Sequence, residues 1–147
     1  RMPERRFTFA VHRLAAELDR QADLILRARL DLTYGDFLYL VHLAGGVTSM
    51  SELARRMGLT RAAVSKRVPE LEARGLVRRD GAGRDRALRL TAAGGRLASR
   101  AGDLLEREFR DAFPDSGTSL DRTAARLERM TAQLQQHPWQ DADEEPR

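Results

Sequence analysis

One stretch constrains the fold of this 147-residue chain more than any other: SMSELARRMGLTRAAVSKRVPELEARGLVRRDGAGRDRALRLT, residues 49–91. Ser49-Met50-Ser51-Glu52 has the S-x-x-E spacing of a capping box, in which the serine hydroxyl takes up an amide of the first helical turn. A short helix from Met50 to Met57 follows, with Leu53, Ala54 and Met57 on its inner face. Gly58 stands where a left-handed residue closes a helix. Leu59 follows as an apolar plug, and Thr60 caps a second helix that runs from Arg61 to Arg74 and stops at Gly75. Val64, Val68 and Leu71 of that helix face inward, while Arg61, Ala62, Ser65, Lys66 and Pro69 lie outside.

Leu76–Arg79 and Arg86–Leu90 read as two strands, with Asp80-Gly81-Ala82-Gly83 as the turn between them. Helix, glycine, apolar residue, polar cap, helix and basic hairpin is the order of a helix-turn-helix with a wing. Such a unit lays its second helix in the DNA major groove. Small residues at Ala62 and Ser65 keep the outer face low, so the backbone can approach base edges. Arg61 and Lys66 reach guanine edges or phosphates, and Arg55 and Arg67 suit the phosphate backbone. An arginine on a thin hairpin, Arg84 or Arg86, suits the minor groove. The intervening Asp85 offers a plainer use for either, as an ion-pair partner. The expected DNA-facing set is Ser51, Arg55, Thr60, Arg61, Ala62, Ser65, Lys66, Arg67, Arg84 and Arg86.

Pro69 stands against this pattern. Inside a helix it cannot donate to the Ser65 carbonyl and clashes with it, at a cost of about 3 kcal/mol. It also disfavours helical angles at Val68. The sequence therefore predicts a kink or an irregular turn near residues 65–69.

The flanks read as long helices. In residues 4–30, Phe7, Val11, Leu14, Leu18 and Ile25 recur on one face. A proline-free helix of this length cannot bury that stripe against itself and needs a partner, such as a second copy of the chain. Thr33 caps a helix reaching Ala44, with Tyr34, Phe37, Leu40, Val41 and Ala44 as its core face and with Tyr39 and His42 turned away. Val47-Thr48 has the make-up of a short strand. Thr91 opens a helix to about Phe113, with Leu97, Ala101, Leu104, Leu105, Phe109 and Phe113 on one side. Pro114-Asp115-Ser116-Gly117 breaks it. In a last helix, residues 120–136, Leu120, Leu127 and Leu134 recur every seven residues as in a coiled-coil seam.

The fold class expected is mainly α with a small β wing: a winged helix-turn-helix at 33–90, flanked by dimerisation helices at 4–32 and 91–136. The acidic tail, 137–147, is expected to be disordered.

Charge follows the same division. Residues 48–96 hold twelve Arg or Lys against five Asp or Glu, a local +7, in a chain of net charge +4. The remainder is thus mildly acidic, and the middle is suited to a polyanion. Lys66 is the sole lysine, so part of the arginine content reflects residue usage. Without cysteine there is no disulfide, thiolate metal site or thiol sensor. His12, His42 and His137 lie far apart, and no metal site or cofactor is expected. No apolar run approaches the roughly 20 residues that cross a bilayer, so a soluble, cytoplasmic protein with no membrane partner is expected. Nucleophile elbow, phosphate-cradling glycine loop and Ser-His-Asp arrangement are all missing, which argues against an enzyme.

Taken together, Ser51-Glu52-Leu53-Ala54, Gly58-Leu59-Thr60, Val64-Ser65, Leu71-Glu72, Arg74-Gly75-Leu76-Val77-Arg78-Arg79, Asp85-Arg86 and Leu90-Thr91-Ala92-Ala93-Gly94 resemble the MarR family of bacterial transcriptional regulators. Thr33 and Phe37 match that family's T-x-x-x-F, and the resemblance spans about residues 7–136. It implies a homodimer built by the first and the last two helices, a repressor or, less often, an activator, and a pseudo-palindromic operator. It also implies release by a small aromatic or phenolic acid held between the dimer helices and the winged domain. His12, Arg13, Tyr39 and His42 are the candidates for that pocket, with Arg13 meeting a carboxylate. Two departures stand out. The wing is about three residues short, so Arg84 (counted from Leu90) or Arg86 (counted by the Asp-Arg pair) takes the family's wing position. Pro69 replaces a plain helical residue.

Overall fold

A computed structural model of the chain describes residues 6–81, 86–114 and 119–137. Its elements run α1 (Arg6–Leu30), α2 (Tyr34–Ala44), β1 (Thr48–Ser49), α3 (Met50–Met57), α4 (Arg61–Ala73), β2 (Val77–Asp80), β3 (Ala87–Leu90), α5 (Ala92–Ala112) and α6 (Leu120–Gln136). They form two compact units, residues 1–107 and 108–147, with the boundary inside α5. No helix among the described residues is long and apolar enough to cross a membrane.

In the first unit the expected caps set the joints. Thr33 Oγ1 accepts the Asp36 amide, Ser49 Oγ the Glu52 amide and Thr60 Oγ1 the Ala63 amide. Gly58 takes φ +66°, ψ +29°, the left-handed conformation that lets α3 stop and the chain turn into α4. Leu40, Leu43, Leu53, Val64, Val68, Leu71 and Leu88 are fully or almost fully buried and make one core from α2, α3, α4 and the sheet. Ala22 and Leu26 add the C-terminal half of α1, and Ala101, Leu104 and Leu105 add α5.

The sheet order is β1-β3-β2, all antiparallel, with Thr48 opposite Leu88 and Val77 opposite Leu90. Its root is locked to α5. The Thr91 hydroxyl donates to the Gly75 carbonyl at 2.5 Å and accepts the Gly94 amide at 3.0 Å. Gly94 packs so tightly that a Cβ there would lie 2.0 Å from the Leu76 carbonyl oxygen, a position only glycine tolerates.

Four expectations are corrected. First, α4 runs without interruption through Pro69. Pro69 and Ser65 are both exposed, and the buried Val64, Val68 and Leu71 hold the helix together against the proline's cost. Second, the core face of α2 is Asp36, Tyr39, Leu40 and Leu43, while Val41 and Ala44 are exposed. The buried Asp36 meets an arginine partner inside the unit. Third, Leu59 is exposed and plugs nothing. Fourth, α5 ends at Ala112, leaving Phe113 exposed. The β1 strand also lies one residue later than Val47-Thr48.

The apolar stripe of α1 is only half covered. It passes into the core at Ala22 and Leu26, whereas Phe7, Val11 and Leu14 are exposed. In the second unit α6 buries no residue, and Leu127 and Leu134 are open. Residues 138–147, the expected acidic tail, lie outside the described residues.

Candidate nucleic-acid interface

Helix α4 offers a low basic face. Arg61, Ala62, Ser65 and Lys66 are all exposed, opposite the buried Val64, Val68 and Leu71. The Ser65 hydroxyl reaches Met50 Sδ at 3.4 Å, which rests the helix on the start of α3. Thr60 begins the face as the N-cap, and its hydroxyl is already engaged by the Ala63 amide. Ser51 is exposed on α3, so the two helices of the motif present their polar sides together.

Arg55 is exposed but engaged. Its guanidinium grips the Glu52 carboxylate by Nε at 2.9 Å and Nη2 at 2.6 Å, and Arg56 adds Nε at 2.9 Å. Hydrogen bonds from Arg55, then Arg56, lower the Glu52 pKa to about 2. The pair is exposed and thus weak, so a phosphate can take over the Arg55 side of it.

Arg67 is placed differently from the expectation. Its Nε donates to Asp36 Oδ1 at 2.6 Å, its Nη2 to Asp36 Oδ2, and its Nη1 to Glu70 Oε2. Asp36 is 2% exposed, so this is a forked ion pair with one member inside the protein. The Asp36 hydrogen bond holds the Arg67 pKa above the ordinary arginine range. At 100° per residue, position 67 lies beside the Val64–Val68–Leu71 stripe and not opposite it. That angular position was readable; its partner 31 residues upstream was not.

The wing's two strands expose Arg78 and Arg89, which stand directly opposite each other. Asp80 bridges them, to Arg78 Nε at 3.0 Å and Arg89 Nε at 2.6 Å, and offsets a like-charge cross-strand pair. The strand alternation could have singled out both arginines. Arg79 instead turns back to Glu72 of α4 at 2.6 Å and ties the wing to the second helix. Arg86 is exposed just before β3, and Arg84 lies outside the described residues.

The four residues expected to line an effector pocket do not come together. His12 and Arg13 are exposed on the N-terminal half of α1, His42 is half-buried, and Tyr39 belongs to the core. Burial raises the Tyr39 hydroxyl above its ordinary pKa. Arg13 lines a shallow groove whose walls, Ala10 to Arg20, all belong to α1. A separate cleft of about 300 Å³ lies between the end of α1 and the middle of α5. Leu30 and Leu104 line it, together with Arg29, Arg100, Arg107 and Asp103. None of the charged residues of this cleft stands out from the sequence, because they come from helices about 70 residues apart.

Residues 30–87, the span from the end of α1 to the start of β3, match the family model described as the MarR family. No curated protein matches the chain. Several solved structures share its fold. A MarR family protein from Bacillus stearothermophilus superposes with a TM-score of 0.73 at 23% identity, covering 93% of this chain and 98% of that one. The transcriptional repressor CouR, solved bound to a 23-mer DNA duplex, gives 0.72 at 23% identity over 90% and 96%. The transcriptional regulator BldR from Sulfolobus solfataricus gives 0.72 at 22% over 88% and 95%.

Proposed function

We propose that this chain, whose residues 30–87 form a winged helix of the MarR family, is a DNA-binding transcriptional regulator acting as a homodimer on a pseudo-palindromic operator. The observation that carries the reading is the outer face of α4: Ala62 and Ser65 sit low between Arg61 and Lys66, on a helix fixed from behind by a full core. That face lets a backbone approach base edges while two cations meet guanine or phosphate. The same fold in CouR is seen on a DNA duplex, which supports DNA as the ligand and repression as the outcome. Two exposed wing arginines, Arg78 and Arg86, extend the basic surface beyond α4.

Dimerisation is supported by the open apolar stripe Phe7–Val11–Leu14 and by the uncovered Leu127 and Leu134. Two copies would present recognition helices to half-sites about one helical turn, roughly 34 Å, apart. This role belongs in the cytoplasm, beside the chromosome. A small organic acid would act as the effector, and the cleft of Arg29, Arg100 and Arg107 over Leu30 and Leu104 suits a carboxylate with an apolar body better than the Arg13 groove does.

The test is selection of fragments from a random-sequence DNA pool, followed by affinity measurements across a salt series. Regulator binding gives a recovered motif with two related halves and an affinity that falls steeply with salt, by a slope of about 0.9 per neutralised phosphate. Arg61→Ala then weakens the selected site by about 1–3 kcal/mol while random DNA loses less. A flat salt response would leave a winged helix that docks protein instead.

A further inference from the structure

The Asp36–Arg67 fork has no part in the contacts above, yet it is the most demanding polar arrangement in the first unit. Asp36 is 2% exposed, and a carboxylate withdrawn this far from water requires a charged, hydrogen-bonded partner. Arg67 supplies one with both oxygens engaged, Nε to Oδ1 at 2.6 Å and Nη2 to Oδ2. Tyr39, itself buried, lies within electrostatic reach of both groups.

The fork joins the first turn of α2 to the middle of α4. Hydrophobic packing of Val64, Val68 and Leu71 is non-directional and tolerates small slides and rolls. A planar bidentate pair does not, because it fixes the guanidinium plane against the carboxylate. A second strut lies at the far end of the same helix, where Arg74 Nη2 donates to the Asp31 carbonyl at 2.8 Å. Asp31 itself adopts φ +49°, a left-handed conformation uncommon for non-glycine residues and most often taken by Asn or Asp. Two struts at separated points along an axis determine its inclination as well as its position.

We propose that Asp36 and Arg67 act as positioning residues that set the inclination of α4 and thereby the bases it reaches, and that Arg67 does not contact phosphate. The proposal rests on the DNA-binding reading above. A phosphate could capture the Nε and Nη2 edge of Arg67 only by leaving Asp36 charged, buried and unpaired, and Nη1 is already held by Glu70 Oε2. An exposed pair such as Arg55–Glu52 carries no such penalty. The two arginines, three turns of sequence apart in the same motif, thus have opposite fates on DNA.

The test uses the full chain and two DNAs, a fragment selected by the wild type and a random duplex, each titrated across a salt series. Arg67→Lys keeps the cation and removes the fork. It is expected to lose about tenfold or more on the selected fragment, with random-DNA affinity and salt slope unchanged. Asp36→Asn/Arg67→Gln replaces the ion pair by a neutral amide pair that can still hydrogen-bond, and thermal unfolding of both variants checks that each is folded. It is expected to recover selected-site affinity to within about threefold of wild type. A double variant that stays weak on both DNAs, with a slope smaller by about 0.9, would make Arg67 a phosphate ligand and overturn the proposal. So would an Arg67→Lys chain that keeps full preference for the selected fragment. A wild type that selects no motif removes the DNA reading itself, and the positioning role with it.

Discussion

The winged helix and α6 use leucine for opposite purposes. Leu40, Leu53 and Leu71 are 0% exposed, enclosed by helices and sheet of the same chain. Leu127 and Leu134 are 44% and 74% exposed on a helix that buries nothing. The contrast recurs within α1, whose stripe is sealed at Leu26 and open at Leu14. The same periodic signal in a sequence therefore has two outcomes. Where α2, α3 and the sheet converge, it makes a self-sufficient core. Where a long helix runs beyond its neighbours, it leaves an open apolar stripe.

The largest test of this contrast is Leu71→Ala against Leu134→Ala. The first is expected to cost about 2–5 kcal/mol in urea unfolding at any protein concentration, because it opens a cavity in a closed core. The second is expected to cost little in dilute solution and, on the proposed dimer, progressively more as concentration rises. Equal, concentration-independent losses would break the comparison.

Gly94→Ala comes next and probes the joint between the winged helix and α5. Its Cβ would meet the Leu76 carbonyl at 2.0 Å, so the backbone must shift, at about 1–3 kcal/mol, measurable by thermal unfolding. Thr48→Val has the opposite sign. Among the described residues Thr48 Oγ1 is buried with no hydrogen-bond partner. Removing that hydroxyl in a side chain of the same shape is expected to raise stability by about 1 kcal/mol in the same assay.

The smallest effect comes from pH, and it treats both regions alike. Glu17 on α1 and Glu52 on α3 are each lowered to about 2 by neighbouring arginines, Arg20 first for Glu17 and Arg55 first for Glu52. A lowered carboxylate stabilises the fold above its unfolded value of 4.5 and loses that contribution as pH falls towards 2. Both pairs are exposed, so the loss is slight and molar salt should abolish it; acid titration with and without salt checks this.

Much of the fold could be read from the chain because its signals are local. The Thr33, Ser49 and Thr60 caps, Gly58, and the Val64–Val68–Leu71 stripe each depend on residues a few positions apart, and the structure contains them all. The larger misreadings involve distant partners. Periodicity turns Tyr39 outward, whereas Tyr39 is buried beside Asp36, whose carboxylate meets Arg67 from another helix. Pro69 predicts a kink or an irregular turn; α4 stays helical through it, backed by packing from three other elements. The cleft at Arg29, Arg100 and Arg107 is invisible to any motif, being a product of packing alone.

The strand order carries a kinetic consequence. The central strand, β3, pairs with β2 across a tight hairpin but with β1 across about forty residues, Thr48 to Leu88. Helices and hairpin form quickly because their partners are near in sequence, whereas β1 must wait for α3 and α4 to fold between the two strands. Until it docks, β3 presents a bare edge to any other chain. The two-residue strand β1 is thus the last stitch of the domain and the cover over the inner edge of its central strand.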